Sequence, residues 1–199
     1  MQGNIKTVAN PYEPIKPNSV LVLDANLETK AYLENLKLAF LMRGYKAAYP
    51  RETLPAKVYP DYQVDVDAKT ESQIIQSQEP IYGNVNTGGW VQDCRKEKGA
   101  TRCISRPETR WDVVGYRPVN EQVDNYTLTM NWFPLKSGQT KASAKQESVL
   151  QVTAQTTQKG CDPNRIYAFL IQQAVNRFTP ERNSASNFKV EMPEGYSCR

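Results

Sequence analysis

The first folded segment predicted by the pattern of apolar residues is a strand followed by a helix. The run SVLVLDAN, residues 19–26, has four successive apolar positions, typical of a strand covered on both faces. In the next segment, 27–46, apolar residues recur at helical spacing. We expect Asn26 to cap this helix and Gly44 to end it in the left-handed conformation. The apolar stripe consists of Leu33, Leu36, Phe40 and Leu41.

Three later segments alternate between apolar and polar residues, which is the period of a half-buried strand. The first covers residues 61–70. The other two, 125–135 and 142–156, flank a turn at Ser137 and Gly138 and predict an antiparallel pair. The inward positions are Tyr62, Val64, Val66 and Ala68, then Tyr126, Leu128, Met130 and Trp132, then Leu150, Val152 and Ala154.

A second helix is predicted over residues 162–178. Asp162 is a suitable N-cap, and Pro163 stands at the first helical position, where its missing N–H costs nothing. Together these elements predict an α+β fold, a mostly antiparallel sheet covered by two main helices. The residues of this helix expected in the core are Ile166, Phe169, Leu170 and Phe178.

The remaining segments define the predicted domain organisation. Residues 1–18 carry Pro11, Pro14 and Pro17 at every third position, which predicts an extended tether. Residues 19–199 are expected to form a single domain. Within it, about 78–122 is irregular and rich in Gly, Pro and charge, with strand-like pieces on either side of a tight turn, so we predict a long hairpin excursion.

The four cysteines are Cys94, Cys103, Cys161 and Cys198, and none forms a C-x-x-C motif. This spacing favours disulfides over a zinc ribbon or a thioredoxin-type redox pair. Three pairings are possible, and 94–103 with 161–198 requires the least chain rearrangement. Two such links would stabilise the fold by roughly 3 and 4 kcal/mol in the loop-entropy model. Four free thiols in a cytosolic protein, or a metal site assembled from them, remain alternatives.

Disulfides persist in oxidising compartments, so the cysteines predict an exported protein. No window is long and apolar enough for a membrane span, and the polar start after Met1 lacks the core of a secretory signal. Such a start is typical of a chain whose signal peptide has been removed. We therefore expect a mature, exported form.

The chain has no histidine, which removes the usual general base and every Ser-His or Cys-His nucleophile. No G-x-S-x-G sequence occurs either, and no Ser-Lys pair is singled out. The expectation is a protein that is not an enzyme and that needs no cofactor.

The segment from Asp93 to Arg110 holds six basic and three acidic residues, and so supplies +3 of the net charge of +4. Arginine and tryptophan dominate binding hot spots, which makes this segment a candidate partner-binding surface. The alternative is a solvated hairpin tip whose tryptophans pack inward. Nucleic acid is not expected as a partner of an exported protein. The candidate residues are Trp90, Arg95, Lys96, Lys98, Arg102, Arg106 and Trp111.

Asp61, Asp65 and Asp67 form the densest group of carboxylates in the sequence. Asp65 and Asp67 share a strand face, as calcium ligands do, but the six oxygens of such a site are not in view. The polar face of an amphipathic strand is the simpler interpretation, and we expect no metal. Asp24 follows the first strand without a glycine-rich phosphate loop, which favours a loop or capping role.

The order of elements resembles a bacterial envelope lipoprotein pattern. The resemblance lies in SVLVLDANLETKAYLENLKLAFLMRGYKAA, YQVDVDA, the hairpin from Asn125 to Thr157 and the closing IYAFLIQQAVNRF. The superfamily includes the penicillin-binding-protein activator LpoB, the N-terminal part of curli-secretion CsgG proteins and the TraT surface-exclusion lipoproteins. The excursion at 78–122 departs from their compact pattern.

This resemblance implies an exported, lipid-anchored, non-catalytic domain, in the periplasm or at the outer membrane, that binds other envelope proteins. The membrane would be reached only through a lipid anchor on a cysteine before residue 1. Two alternatives stay open. One is a secreted inhibitor or immunity-type protein whose stapled hairpin blocks an enzyme, and the other is a carrier with an apolar cavity for a lipid or small ligand.

Overall fold

The computed structural model describes residues 2–10, 12–177, 186–191 and 198. The chain divides into two compact units, which we call the sheet unit (Met1–Gln73 and Val123–Arg199) and the ribbon (Ile74–Gln122). The helices are α1 (Leu33–Met42) and α2 (Pro163–Arg177). The strands are β1 (Gln2–Ala9), β2 (Val20–Ala25), β3 (Ala47–Pro50), β4 (Tyr62–Glu97), β5 (Ala100–Pro134), β6 (Leu150–Gln158) and β7 (Ser186–Glu191).

The seven strands form one mixed sheet in the order β3-β2-β4-β5-β6-β1-β7. β2 runs parallel to both of its neighbours, β3 and β4. β6 is antiparallel to β5 and to β1, and β1 is antiparallel to β7. The α+β class is therefore confirmed, with two helices and a sheet in which parallel pairing is confined to the β3-β2-β4 side.

Of the predicted cap residues of the first helix, Gly44 is confirmed, whereas Asn26 caps the 3-10 turn that precedes α1 and not α1 itself, whose N-cap is Tyr32. Asn26 Oδ1 accepts the backbone N–H of Thr29 at 2.8 Å, at the start of the short 3-10 turn that leads into α1. At the other end Gly44 has φ +97°, and the N–H of Tyr45 donates to the carbonyl of Phe40. The rings of Phe40 and Tyr45 lie edge to face at 5.3 Å, which completes the hydrophobic contact of a Schellman motif. The prediction that Leu41 lies on the buried stripe is wrong, because this side chain is 41% exposed.

One core lies between the sheet and the helices. Trp132 is fully buried, and its ring meets that of Phe40 edge to face at 5.9 Å. Every inward strand position predicted from the alternation is buried, because each set lies on the sheet face that carries the helices.

The second helix begins as predicted, since Asp162 Oδ1 accepts the N–H of Asn164 at 3.0 Å. Cys161 beside it is bonded to Cys198, and the N–H of Asp162 also donates to the carbonyl of Cys198 at 2.7 Å. The predicted core residues of α2 are buried, except that Phe178 lies outside the described residues.

The predicted tether over residues 1–18 is wrong, since even in its Pro-containing half Ile15 belongs to the buried core. Gln2–Ala9 form β1, an inner strand between β6 and β7, and Ile5 is fully buried. The strand was missed because it has only this one large inward residue. Its inward Gly3 is required by close packing, since a Cβ there would lie 3.2 Å from the carbonyl oxygen of Gln155 and from the Cγ2 of Val190.

The excursion expected at about 78–122 corresponds to the ribbon, Ile74–Gln122, although it is regular where irregular structure was predicted. Both predicted strand-like pieces belong to continuous strands, β4 and β5. The expectation of one domain over 19–199 is replaced by these two units, and the sheet unit includes β1.

Candidate protein-interaction site

The ribbon is a two-stranded antiparallel hairpin closed by a two-residue turn. Lys98 and Gly99 have φ of +49° and +80°, and positive values at both positions define a type I′ turn, whose twist suits a hairpin. Glycine adopts this conformation without strain, whereas Lys98 does so at some cost. The turn therefore sets the register of the two strands at the tip.

The predicted disulfide Cys94–Cys103 is present at this end of the ribbon, with the two Cα atoms 3.9 Å apart. With Cys161–Cys198 it confirms the predicted pairing, and no described cysteine is free. Two disulfides are typical of proteins in an oxidising, exported environment. The staple ties together strands that have no core of their own.

Three of the predicted arginines come together on one side of the tip. Arg95, Arg102 and Arg106 line a cavity of about 410 Å³, together with Asp93 and Ile104. Arg95 approaches Asp93 at 4.0 Å, and both side chains are solvent-exposed enough that this ion pair contributes little. The cluster therefore keeps most of its positive potential.

The predicted tryptophans lie on the other side of the ribbon. Trp90 precedes Cys94 by four residues and Trp111 follows Cys103 by eight, so strand alternation places both with the disulfide. The arginines are an odd number of residues from those cysteines and lie opposite. The prediction of a single surface that combines the tryptophans with the arginines is therefore wrong. The alternative, in which the tryptophans pack inward, is also wrong, since Trp90 and Trp111 are 71% and 67% exposed.

The two predicted lysines also differ in position. Lys98 stands in the turn itself, and Lys96 lies one residue beyond Arg95, on the side of the disulfide. Both are exposed. They add to the charge at the tip without lining the cavity.

Sequence reasoning missed the extent of exposed apolar surface. None of the described side chains of the ribbon is buried, although eleven of its large apolar residues are exposed. A signal was present, because β-branched and aromatic residues occupy both alternate sets of positions, which a strand buried on one face does not have. The eleven are Ile74, Ile75, Ile81, Tyr82, Val85, Trp90, Val91, Ile104, Trp111, Val114 and Tyr116.

Charges farther from the turn are paired. The guanidinium of Arg117 contacts Glu79 Oε2 at 2.7 and 2.8 Å. Arg110 Nη2 lies 2.5 Å from Asp112 Oδ2, and the pKa of Asp112 is lowered first by the backbone N–H of Val113 and then by Arg110. Among the described side chains, by contrast, no ion pair joins Arg102 or Arg106 to a carboxylate. The unbalanced charge is therefore concentrated at the tip.

In the sheet unit, the carboxylates considered as metal ligands have structural partners. Asp61 Oδ2 accepts the N–H of Val20 at 2.8 Å, at the start of β2. Asp67 Oδ1 accepts Nδ2 of Asn26 at 2.8 Å. These bonds tie neighbouring segments of the β2-β4 pair together.

Asp24 and Asp65 face each other on the parallel strands β2 and β4. Asp24 binds Arg51 Nε at 2.6 Å, while Asp65 accepts Nε2 of Gln63 at 2.5 Å. Burial raises the pKa of Asp65, partly offset by the hydrogen bond from Gln63. Within the described residues, no three His, Cys, Asp or Glu side chains gather as a metal-ligand group.

No protein-family model matches the chain, and no curated protein matches it either. No helix among the described residues combines the length and apolar character that crossing a membrane requires.

Proposed function

We propose that this chain is an exported, non-catalytic accessory protein of a bacterial cell envelope that binds other envelope proteins through its ribbon. The observation that carries the proposal is the exposure of the ribbon's apolar residues. Monomeric soluble proteins rarely expose large apolar patches, and such patches mark sites of interaction.

The energetics of the ribbon support a role in binding. An isolated two-stranded hairpin is marginally stable in water, and it needs a third strand or a packed face for stability of its own. The ribbon has the Cys94–Cys103 staple in place of a packed face. A disulfide preserves the hairpin while leaving its surface free, and it reduces the conformational entropy lost on binding.

The envelope assignment rests on three further observations. Both disulfides suit an oxidising compartment. The order of elements in the sheet unit resembles envelope lipoproteins, which implies a lipid anchor and a location in the periplasm or at the outer membrane. The lack of histidine leaves binding as the better supported activity.

The test is site-specific photo-cross-linking in cells of the source organism. The photoreactive residue p-benzoyl-phenylalanine replaces Ile104 on the ribbon, and the matched control replaces Tyr12, which is also highly exposed but lies in the sheet unit. We expect discrete adducts with an envelope protein from the Ile104 position and not from the Tyr12 position. Identical adducts from both positions, or none from Ile104, would contradict the proposal.

A further inference from the structure

The backbone at the tip has unpaired hydrogen-bonding groups along its outer edges. Among the described residues, β4 pairs with β2 only up to Val66, and β5 pairs with β6 only from Asp124 onward. Between these limits each strand of the ribbon has one edge without a neighbouring strand. Such an edge is a template for pairing with another extended chain.

The disulfide shows which groups point outward. Its Cα separation of 3.9 Å is that of a non-hydrogen-bonded pair, in which the N–H and C=O groups point away from the partner strand. Along β5 the same orientation recurs at every second residue, so Thr101, Cys103 and Ser105 present their N–H and C=O groups at the outer edge. Pro107 follows in the same series and has no N–H to offer, which ends the row of donors.

The side chains between these residues form a distinctive row. Arg102, Ile104 and Arg106 alternate on the cavity side, and Ile104 is 72% exposed between the two guanidinium groups. From Cys94 to Arg106 the sequence holds five basic residues and one acidic residue. An added strand would place its own alternate side chains beside this row, within reach of cross-strand contacts.

We propose that the outer edge of β5 at Thr101–Ser105 pairs with an extended segment of a partner protein in which two acidic residues flank an apolar one, in the pattern acidic-x-apolar-x-acidic. This inference rests on the proposed function and specifies the chemistry of the partner. The carboxylates meet Arg102 and Arg106, and the apolar residue covers Ile104. Arginine is suited to these contacts because its planar guanidinium donates two parallel hydrogen bonds to a carboxylate.

The outer edge of β4 is a poorer match. Its corresponding row on the cavity side is Val91, Asp93 and Arg95, so an acidic strand would meet the like charge of Asp93. A peptide also fits better than a phosphate or a lipid headgroup, because only a peptide matches outward N–H and C=O groups at strand spacing.

The probe is a fluorescein-labelled peptide, Thr-Glu-Thr-Val-Thr-Glu-Thr, titrated into the full chain with its disulfides intact and followed by fluorescence anisotropy. Arg102→Glu with Arg106→Glu should weaken binding roughly tenfold or more, because each partner carboxylate then meets a like charge. A peptide with lysine in place of glutamate should bind this variant and not the native chain. The matched control, Lys57→Glu with Lys145→Glu, makes the same change in net charge on exposed residues of the sheet unit and should leave binding unchanged.

Two measurements separate strand pairing from simple attraction between charges. N-methylation of the two threonines that flank the valine removes the N–H groups that would face the ribbon, and it should abolish binding. Amide exchange of Thr101, Cys103 and Ser105 should slow on adding the unmodified peptide, because their N–H groups acquire partners.

Equal binding of the N-methylated peptide would overturn the proposal. So would binding unaffected by the two arginine substitutions, or a preference for inorganic phosphate or phosphatidylglycerol vesicles over the peptide. If the peptide fails while Ile104 still cross-links to an envelope protein, this inference is wrong and the proposed function stands. If both fail, the ribbon is not a docking surface.

Discussion

The sheet unit and the ribbon use the same kind of strand for opposite purposes. In the sheet unit, alternate residues such as Val64 and Leu128 are completely buried against the helices. In the ribbon, which is formed by the continuations of β4 and β5, the β-branched and aromatic residues remain exposed. The comparison shows that an apolar residue in a strand indicates a core only where another layer covers it.

The largest expected contrast is between two tryptophans. Trp132→Ala removes a fully buried ring that packs on Phe40, and it should lower the free energy of unfolding by about 3–5 kcal/mol. Trp90→Ala removes an exposed ring and should change that quantity by no more than about 0.5 kcal/mol. Urea denaturation followed by circular dichroism measures both. Similar losses for the two variants would mean that the ribbon has a core of its own.

The two disulfides offer the next contrast. Cys161→Ser with Cys198→Ser opens a link with a sequence separation of 37 and should destabilise the sheet unit by about 3–4 kcal/mol in the loop-entropy model. Cys94→Ser with Cys103→Ser should leave thermal unfolding of the sheet unit nearly unchanged. It should instead speed amide exchange at the tip of the ribbon. A large loss of thermal stability from the ribbon pair would overturn this separation.

A smaller effect distinguishes the units at high pH. Burial raises the pKa of Tyr167 from 10.0 to about 12, despite a hydrogen bond with Thr70. The folded state holds the Tyr167 proton more tightly than the unfolded state does. The contribution of this hydroxyl to the free energy of unfolding is therefore complete below pH 10 and falls by about 2 kcal/mol as the pH rises to 12.

Tyr167→Phe should therefore flatten the decline in stability of the sheet unit between these pH values. The control is Tyr116→Phe, which alters an exposed ring of the ribbon and should leave the decline as it was. Chemical denaturation at pH 9, 10 and 11 measures both slopes. An unchanged slope for Tyr167→Phe would show that its hydroxyl does not couple to folding.

Local signals predicted the elements of the sheet unit well. The caps at Asn26, Gly44 and Asp162 act through bonds to residues a few positions away, so sequence spacing alone located them. The inward positions of three strands followed from the period of two. The prediction for Leu41 failed because this residue lies at the margin of the helical stripe, where the position of the neighbouring elements decides burial.

The candidate site was predicted in composition and not in arrangement. The positive charge, the turn and the staple are properties of a short stretch of sequence, and they were found in it. The separation of the tryptophans from Arg95, Arg102 and Arg106 follows from strand alternation, because Trp90 and Trp111 are an odd number of residues from the arginines of their own strands. It was missed because this segment was predicted to be irregular, and a period of two can be applied only where a strand is recognised.

The sequence by itself therefore determined the helices and the buried faces of the inner strands, because each depends on residues close together or on a strict period. It favoured the observed cysteine pairing and left two others open, since Cys161 and Cys198 are 37 residues apart. Only the tertiary structure decided that Gln2–Ala9 form a strand and that the ribbon has no cover. Both depend on what lies beside a segment. Ile5 is buried because β6 and β7 flank its strand and the core covers it, whereas Ile104 is exposed because no described layer covers it.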